Sequence, residues 1–154
     1  MKKKLEGGTF KNKRVFFDYE IFDKIEAGVV LTGTEIKSIR NSKVNINGSF
    51  CIFQDNELFI RGIDIAIYDE GSYLNHDPKR DRKLLLHRKQ LNKLKIKLDE
   101  KGLTIVPIKL YPNENGIYKI EIGLAKGRKN VDKRNLLYER DEKLKIKRDF
   151  NINI

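Results

Sequence analysis

The sequence predicts a mainly β chain folded as a small antiparallel barrel of about six strands, with a short helix, one long basic helix and a C-terminal tail. Three observations lead there. Apolar residues alternate with a period of two over several short runs, as half-buried strands require. The alternation slips by one residue at Arg61-Gly62, the pattern of a β-bulge, and bent strands suit a barrel better than a flat sheet. Helical apolar spacing follows the first strands as one long stretch.

The elements follow in order. Val15 to Phe22 reads as the first strand, with Val15, Phe17, Tyr19 and Ile21 on one face, and Ile25 to Leu31 is a second apolar run. Thr32 with Glu35 forms a capping box, so a short helix should start there, bury Ile36 and Ile39, and end near Asn41-Ser42. Val44, Ile46, Phe50 and Ile52 alternate, Gln54 to Glu57 turn, and Leu58 and Ile60 restart the pattern before Ile63, Ile65 and Ile67 take the other parity. Asp77-Pro78 or Asp81 can open the long helix, which places Leu84, Leu91, Leu94 and Leu98 on one face and stops at Gly102. Leu103 to Tyr111 and Ile117 to Leu124 are the last strands, joined through Pro112 to Gly116, with Tyr118, Ile120, Ile122 and Leu124 on one side. This arrangement is closest to an OB-like barrel, which binds nucleic acid on one sheet face and its loops; an open α+β sandwich is the alternative.

Charge narrows the function. The chain carries 33 Lys+Arg against 22 Asp+Glu, a net +11, so an acidic polymer is the expected partner, RNA or DNA first. The excess is local: +6 from His76 to Lys101 and +5 from Lys126 to Asp149, with the remaining segments neutral. Two basic blocks on a neutral frame read as two contact surfaces; solvated helix faces are the plainer reading. No apolar run is long enough to span a membrane, and the basic Met1 to Leu5 is followed by Glu6-Gly7-Gly8 rather than an apolar stretch, so a cytoplasmic protein is expected. Cys51 is the one cysteine, too few for an internal disulfide or a cysteine zinc site.

Two domains are expected: a core over 1–125, whose residues 1–11 are a flexible N-terminus, and a basic tail over 126–154. The tail has no continuous apolar stripe. Leu137 and Leu144 are separated by Arg140 and Asp141, while Glu139–Lys143 and Asp141–Lys145 are favourable helical pairs. Such a segment is marginal alone and helical when bound.

Among chemical candidates, Arg80, Arg82, Lys83, Arg88, Lys89, Lys93, Lys95 and Lys97 on the predicted basic helix are phosphate partners, which supply affinity rather than sequence reading. Phe16, Phe22, Phe53, Tyr68 and Tyr73 fall off the main apolar parities or in loops and could stack on unpaired bases, with sheet packing the competing use. His76 and His87 lack converging ligands, so structural histidines are the competing reading. Asp18, Glu20, Asp23 and Glu26 could hold a metal in a nuclease, but a solvated strand face explains them more simply. No catalytic triad, P-loop or dinucleotide fingerprint is present, and neither a catalytic residue nor a metal or cofactor is assigned.

Several segments then resemble one family. Glu26 to Ser38 resembles its "EAGIxLxGTEVKS" stretch, Asn75 to His87 its "NHDPxRxRKLLLH", Lys101 to Pro107 its "KGLTLVP", and Gly123 to Arg134 its "GLAKGKK…DKR". Order and spacing fit from about Asn12 to Arg148. The chain is similar to the small protein B family, partners of transfer-messenger RNA in bacterial ribosome rescue (trans-translation).

The resemblance implies a non-enzymatic, OB-like protein without cofactor that grips the tRNA-like domain of transfer-messenger RNA. With elongation factor Tu it would reach the decoding centre of a stalled ribosome and lay its tail in the empty mRNA channel of the small subunit. Carried over by position, the family's RNA contacts fall on Glu26, Leu85, His87 and Lys119, and its tail motif on Asp132, Lys133 and Arg134. There are departures: Val131 stands where relatives carry a stacking aromatic or His, Phe17 where some carry His, and Phe150 to Ile154 end the chain without the basic residues of some relatives. The competing readings are a general ribosome-associated OB-type factor and a metal-dependent RNase.

Overall fold

A computed structural model of the chain describes residues 8–71, 74–100 and 102–152. Tyr73 and Lys101, singled out in the sequence, lie outside the described residues, as do Met1 to Gly7 and the last two residues of the apolar tip.

The described elements, in order, are β1 (Phe10–Lys11), α1 (Val15–Asp18), β2 (Tyr19–Val29), α2 (Gly33–Arg40), β3 (Val44–Asn45), β4 (Phe50–Gln54), β5 (Glu57–Arg61), β6 (Asp64–Ile65), β7 (Arg82–Leu85), α3 (Arg88–Leu98), β8 (Leu103–Pro112), β9 (Tyr118–Gly127) and α4 (Asn130–Ile152). Strands β8-β4-β5-β7-β2-β9 form an antiparallel ring that closes through β8–β9, with β1 on the edge of β8 and a separate β3–β6 ladder. Closure leaves the six barrel strands no free edge. The expected OB-like barrel is therefore the observed fold, and the open sandwich is not. Its interior holds Ala27, Leu58, Ile60, Leu84, Ile105, Ile120 and Ile122, and α3 adds Leu91 and Leu94 to the same core.

Local chemistry explains most elements. Thr32 Oγ1 accepts from the Glu35 N–H at 3.4 Å and Glu35 Oε1 accepts from the Thr32 N–H at 2.9 Å, so the predicted capping box starts α2. Asp55 and Asn56 both have positive φ, at 50° and 63°, the conformation of a two-residue hairpin loop that follows the twist of β4 and β5. Gly62 has φ +92°, and a Cβ there would lie 3.2 Å from Ser49 Cα. The parity slip is thus real, but it marks where the chain leaves the barrel after β5 and joins β3 as β6.

Five expectations need correction. Val15 to Asp18 is a helical turn, because Val15 covers a second apolar cluster of Val106, Ile108 and Ala125 on the outer side of the sheet. The two apolar runs beyond it are one strand, β2, which bulges between Ile21 and Asp23 and leaves Phe22 exposed. In β4 the buried residue is Cys51, since the Asn47 to Ser49 turn resets the parity and leaves Phe50 exposed. Phe10 and Lys11, expected in a flexible segment, pair with Leu110 and Lys109.

The fifth concerns the long helix, of which only Arg88–Leu98 is helical; residues 82–85 are strand β7. Leu84 fits either period. The Asp77-Pro78 segment turns instead of starting a helix, and its carbonyls, with those of Arg80 and Ile63, accept from the Arg82 guanidinium at 2.9–3.3 Å.

Candidate nucleic-acid interface

Strand register builds the candidate surface. Leu85 on β7 faces Gly28 on β2, Gly28 faces Lys119 on β9, and Lys119 faces Tyr111 on β8. These four form one rung across four strands. The next rung, two residues along, is Glu26, Glu121 and Lys109. Ala27, Leu84 and Ile120 alternate with them and are buried, so both rungs point outward. Glu26, Gly28, Leu85, Leu86, His87, Gln90 and Lys119 line an open depression of about 430 Å³. It unites the four contacts implied by resemblance: Glu26, Leu85, His87 and Lys119.

Each side chain has a defined means of support. Gly28 leaves room: a Cβ there would stand 3.2 Å from Leu85 Cβ and 3.7 Å from Lys119 Nζ. Leu85 is 53% exposed, an apolar surface offered to solvent. His87 has extended backbone just before α3, and its N–H donates to Gln90 Oε1 at 3.1 Å, which fixes the helix start and leaves the imidazole exposed. The Tyr111 hydroxyl donates to Glu26 Oε2. Burial first, then this hydrogen bond, pushes the Tyr111 phenol well above its usual range, so it stays a donor to Glu26. The surface thus offers an ammonium for phosphate, an apolar patch and an imidazole for base or sugar, and a held carboxylate for amino or hydroxyl donors. Sequence reasoning missed Tyr111, Lys109, Gly28 and Gln90; the outward alternation of Lys109 with Tyr111 was the available signal.

Arg82 is not on this surface, contrary to expectation. Its side chain is fully buried and its Nε donates to Glu35 Oε2 at 2.5 Å. With the four carbonyls already named, its five N–H donors all have acceptors, leaving none for a phosphate. Arg80 donates to both Glu35 oxygens, at 3.2 and 2.5 Å. Burial alone would raise the Glu35 carboxyl; hydrogen bonds from Arg80, the Thr32 backbone and Arg82 outweigh it and hold the group below the ordinary carboxylate range. Glu35 therefore caps α2 and pairs with two arginines at once.

Much of the basic block is paired locally. Lys83 and Arg88 reach Glu57 at 3.9 and 3.0 Å, Lys97 reaches Asp23 at 2.9 Å, and Lys95 donates to Asn56 Oδ1. Lys83 keeps outward parity with Leu85 but does not line the depression.

The tail is a continuous helix from Asn130 to Ile152. Its first turn is tied to α1: Lys133 Nζ lies 3.4 Å from Asp18 Oδ1 and 5.9 Å from the Phe17 ring centre. Arg14 covers the same ring at 5.0 Å, so Phe17 sits among cations. Asp132 and Arg134 are exposed. The side chains of Val131 and Phe150 lie outside the described residues.

His76 and three of the four candidate carboxylates have structural partners. His76 is buried, with Nε2 at 2.9 Å from the Ile65 carbonyl and Nδ1 at 2.9 Å from Thr34 Oγ1. A carbonyl only accepts, so Nε2 donates and Nδ1 faces the hydroxyl. Asp18, Asp23 and Glu26 are engaged separately, by Lys133, Lys97 and Tyr111. Among the described residues no three His, Cys, Asp or Glu are grouped to hold a metal, and no described helix is long and apolar enough to cross a membrane.

Known proteins resemble the chain over most of its length. The family model "SmpB protein" matches residues 9–152. The "SsrA-binding protein" of Flavobacterium johnsoniae is 52% identical over 150 residues, covering 96% of this chain and 99% of its own. That of Cytophaga hutchinsonii is 49% identical over 140 residues, covering 91% and 92%. That of Thermus thermophilus is 50% identical over 126 residues, covering 82% and 88%. A solved chain described as "tmRNA-SmpB: a journey to the center of the bacterial ribosome" is similar with TM-score 0.66 and 50% identity, over 79% of this chain and 85% of that one. With a family match over nearly its whole length and relatives at about half identity, the chain belongs to the SmpB protein family.

Proposed function

We propose that this protein binds the tRNA-like domain of transfer-messenger RNA and delivers it to stalled ribosomes in the bacterial cytoplasm, as a binding protein rather than a catalyst. The observation that carries the reading is the convergence of Glu26, Leu85, His87 and Lys119 on one outward depression. Lys119 takes a phosphate, Leu85 and His87 pack on sugar or base, and Glu26, held by Tyr111, accepts from an amino or 2′-hydroxyl group. The α4 tail, with Asp132, Lys133 and Arg134 in its first turn, is the ribosome contact and enters the empty mRNA channel; elongation factor Tu accompanies delivery. The core, 1–125, and the tail, 126–154, act as two units.

Sequencing the RNA that co-purifies with the protein tests this reading. One discrete RNA with a tRNA-like end supports it. Bulk ribosomal RNA contradicts it in favour of a general ribosome-associated factor.

A further inference from the structure

Beyond the depression, the same sheet face gathers cations that carboxylates do not neutralise. Lys11, Lys13, Lys24 and Lys109 line a cleft of about 520 Å³ beside Phe16 of α1, whose ring is 51% exposed. The cleft adjoins the depression: Lys24 lies two residues before Glu26 on β2, and Lys109 two residues before Tyr111 on β8. Elsewhere Lys43, Arg61, Lys83, Arg88, Lys97 and Lys133 each have a carboxylate oxygen within 3.9 Å, whereas others, such as Lys89 and Lys126, have none among the described residues but are not gathered in this cleft. Among the described residues, Lys11, Lys13, Lys24 and Lys109 form no such ion pair, although Glu121 also lines the cleft. Two of them rest on rings instead: Lys24 Nζ is 5.2 Å from the Phe16 centre and Lys109 Nζ is 5.1 Å from that of Tyr111.

Lysines left available beside an exposed aromatic ring suit a ligand with regularly spaced anions and flat apolar faces. An acidic peptide would satisfy the lysines but give the Phe16 ring no role. We propose that the cleft is a second contact for the RNA held at the depression, its lysines taking backbone phosphates and Phe16 the face of one unpaired base. This rests on the RNA-binding reading above.

The test is the affinity of the full chain for the tRNA-like domain across a salt series. Lys24→Gln with Lys109→Gln removes two phosphate contacts, so binding weakens and the slope of log K against log salt becomes shallower by about 1.4 to 1.8. Phe16→Leu keeps the apolar bulk and weakens binding roughly tenfold with the slope unchanged. A Lys119→Ala control should weaken binding, and melting curves verify folding. An unchanged slope in the lysine variant, or wild-type affinity in Phe16→Leu, overturns the proposal while the unaltered chain still binds. Failure of the unaltered chain to bind contradicts the RNA-binding reading itself.

Discussion

Gly28 on β2 stands so near Leu85 on β7 that a Cβ at position 28 would come within 3.2 Å of the Leu85 Cβ. The missing side chain keeps the floor of the depression open between Leu85 and Lys119. Gly28→Val should fill that floor, displace Leu85 and weaken binding of the tRNA-like domain about tenfold, equivalent to about 1.4 kcal/mol. Far-ultraviolet circular dichroism alongside titration checks that the barrel persists, since strand positions accept Val well.

Glu35 is the most committed carboxylate, fully buried between Arg80 and Arg82. Glu35→Gln should cost about 3 to 5 kcal/mol at neutral pH, because it leaves the buried Arg82 without its counter-charge. The folded-state pKa of Glu35 is depressed, so its contribution is complete above the unfolded value, near 4.3, and is lost as pH falls through the folded value. Denaturant unfolding should therefore show the gap between wild type and variant narrowing below about pH 4.

The tail should separate from the core. Among the described residues the last buried apolar one is Ala125, and Arg128 is held by its N–H to the Asp18 carbonyl at 2.9 Å and its Nε to that of Phe16 at 3.3 Å. Truncation after Arg128 keeps these bonds. It should leave affinity for the tRNA-like domain within about twofold, about 0.4 kcal/mol, since every residue lining the depression precedes Arg128. It should abolish peptide tagging in a translation assay, as should joint replacement of Asp132, Lys133 and Arg134 by Ala.

Legibility in the sequence followed the range of the interactions. The Thr32–Glu35 capping box and the β8–β9 hairpin depend on neighbours in the chain, and both were readable. The helical turn at Val15 was not, because its cause is an apolar patch of Val106, Ile108 and Ala125 about a hundred positions away. The same holds for β7. Leu84 satisfies helix and strand periods alike, and the choice is made by the pairing of Arg82 with Glu35 across 47 residues. The charge count therefore assigned to a basic helix two arginines that in fact neutralise a buried carboxylate. Glu26, Leu85, His87 and Lys119 came from family resemblance. No local pattern marks them, because they meet only through the β7–β2–β9 register.

The decisive comparison is the affinity of the tRNA-like domain for the wild-type chain and for Leu85→Ala combined with Lys119→Ala, with ordinary tRNA in parallel. Both side chains lie on the outward rung, so melting temperature should hardly change. Wild-type binding should be tight and salt-sensitive, and weaker for ordinary tRNA. The double variant should lose at least tenfold, the scale of about 1.4 kcal/mol or more. Equal affinity of the wild type and the double variant for the tRNA-like domain would contradict the role of the depression in RNA binding.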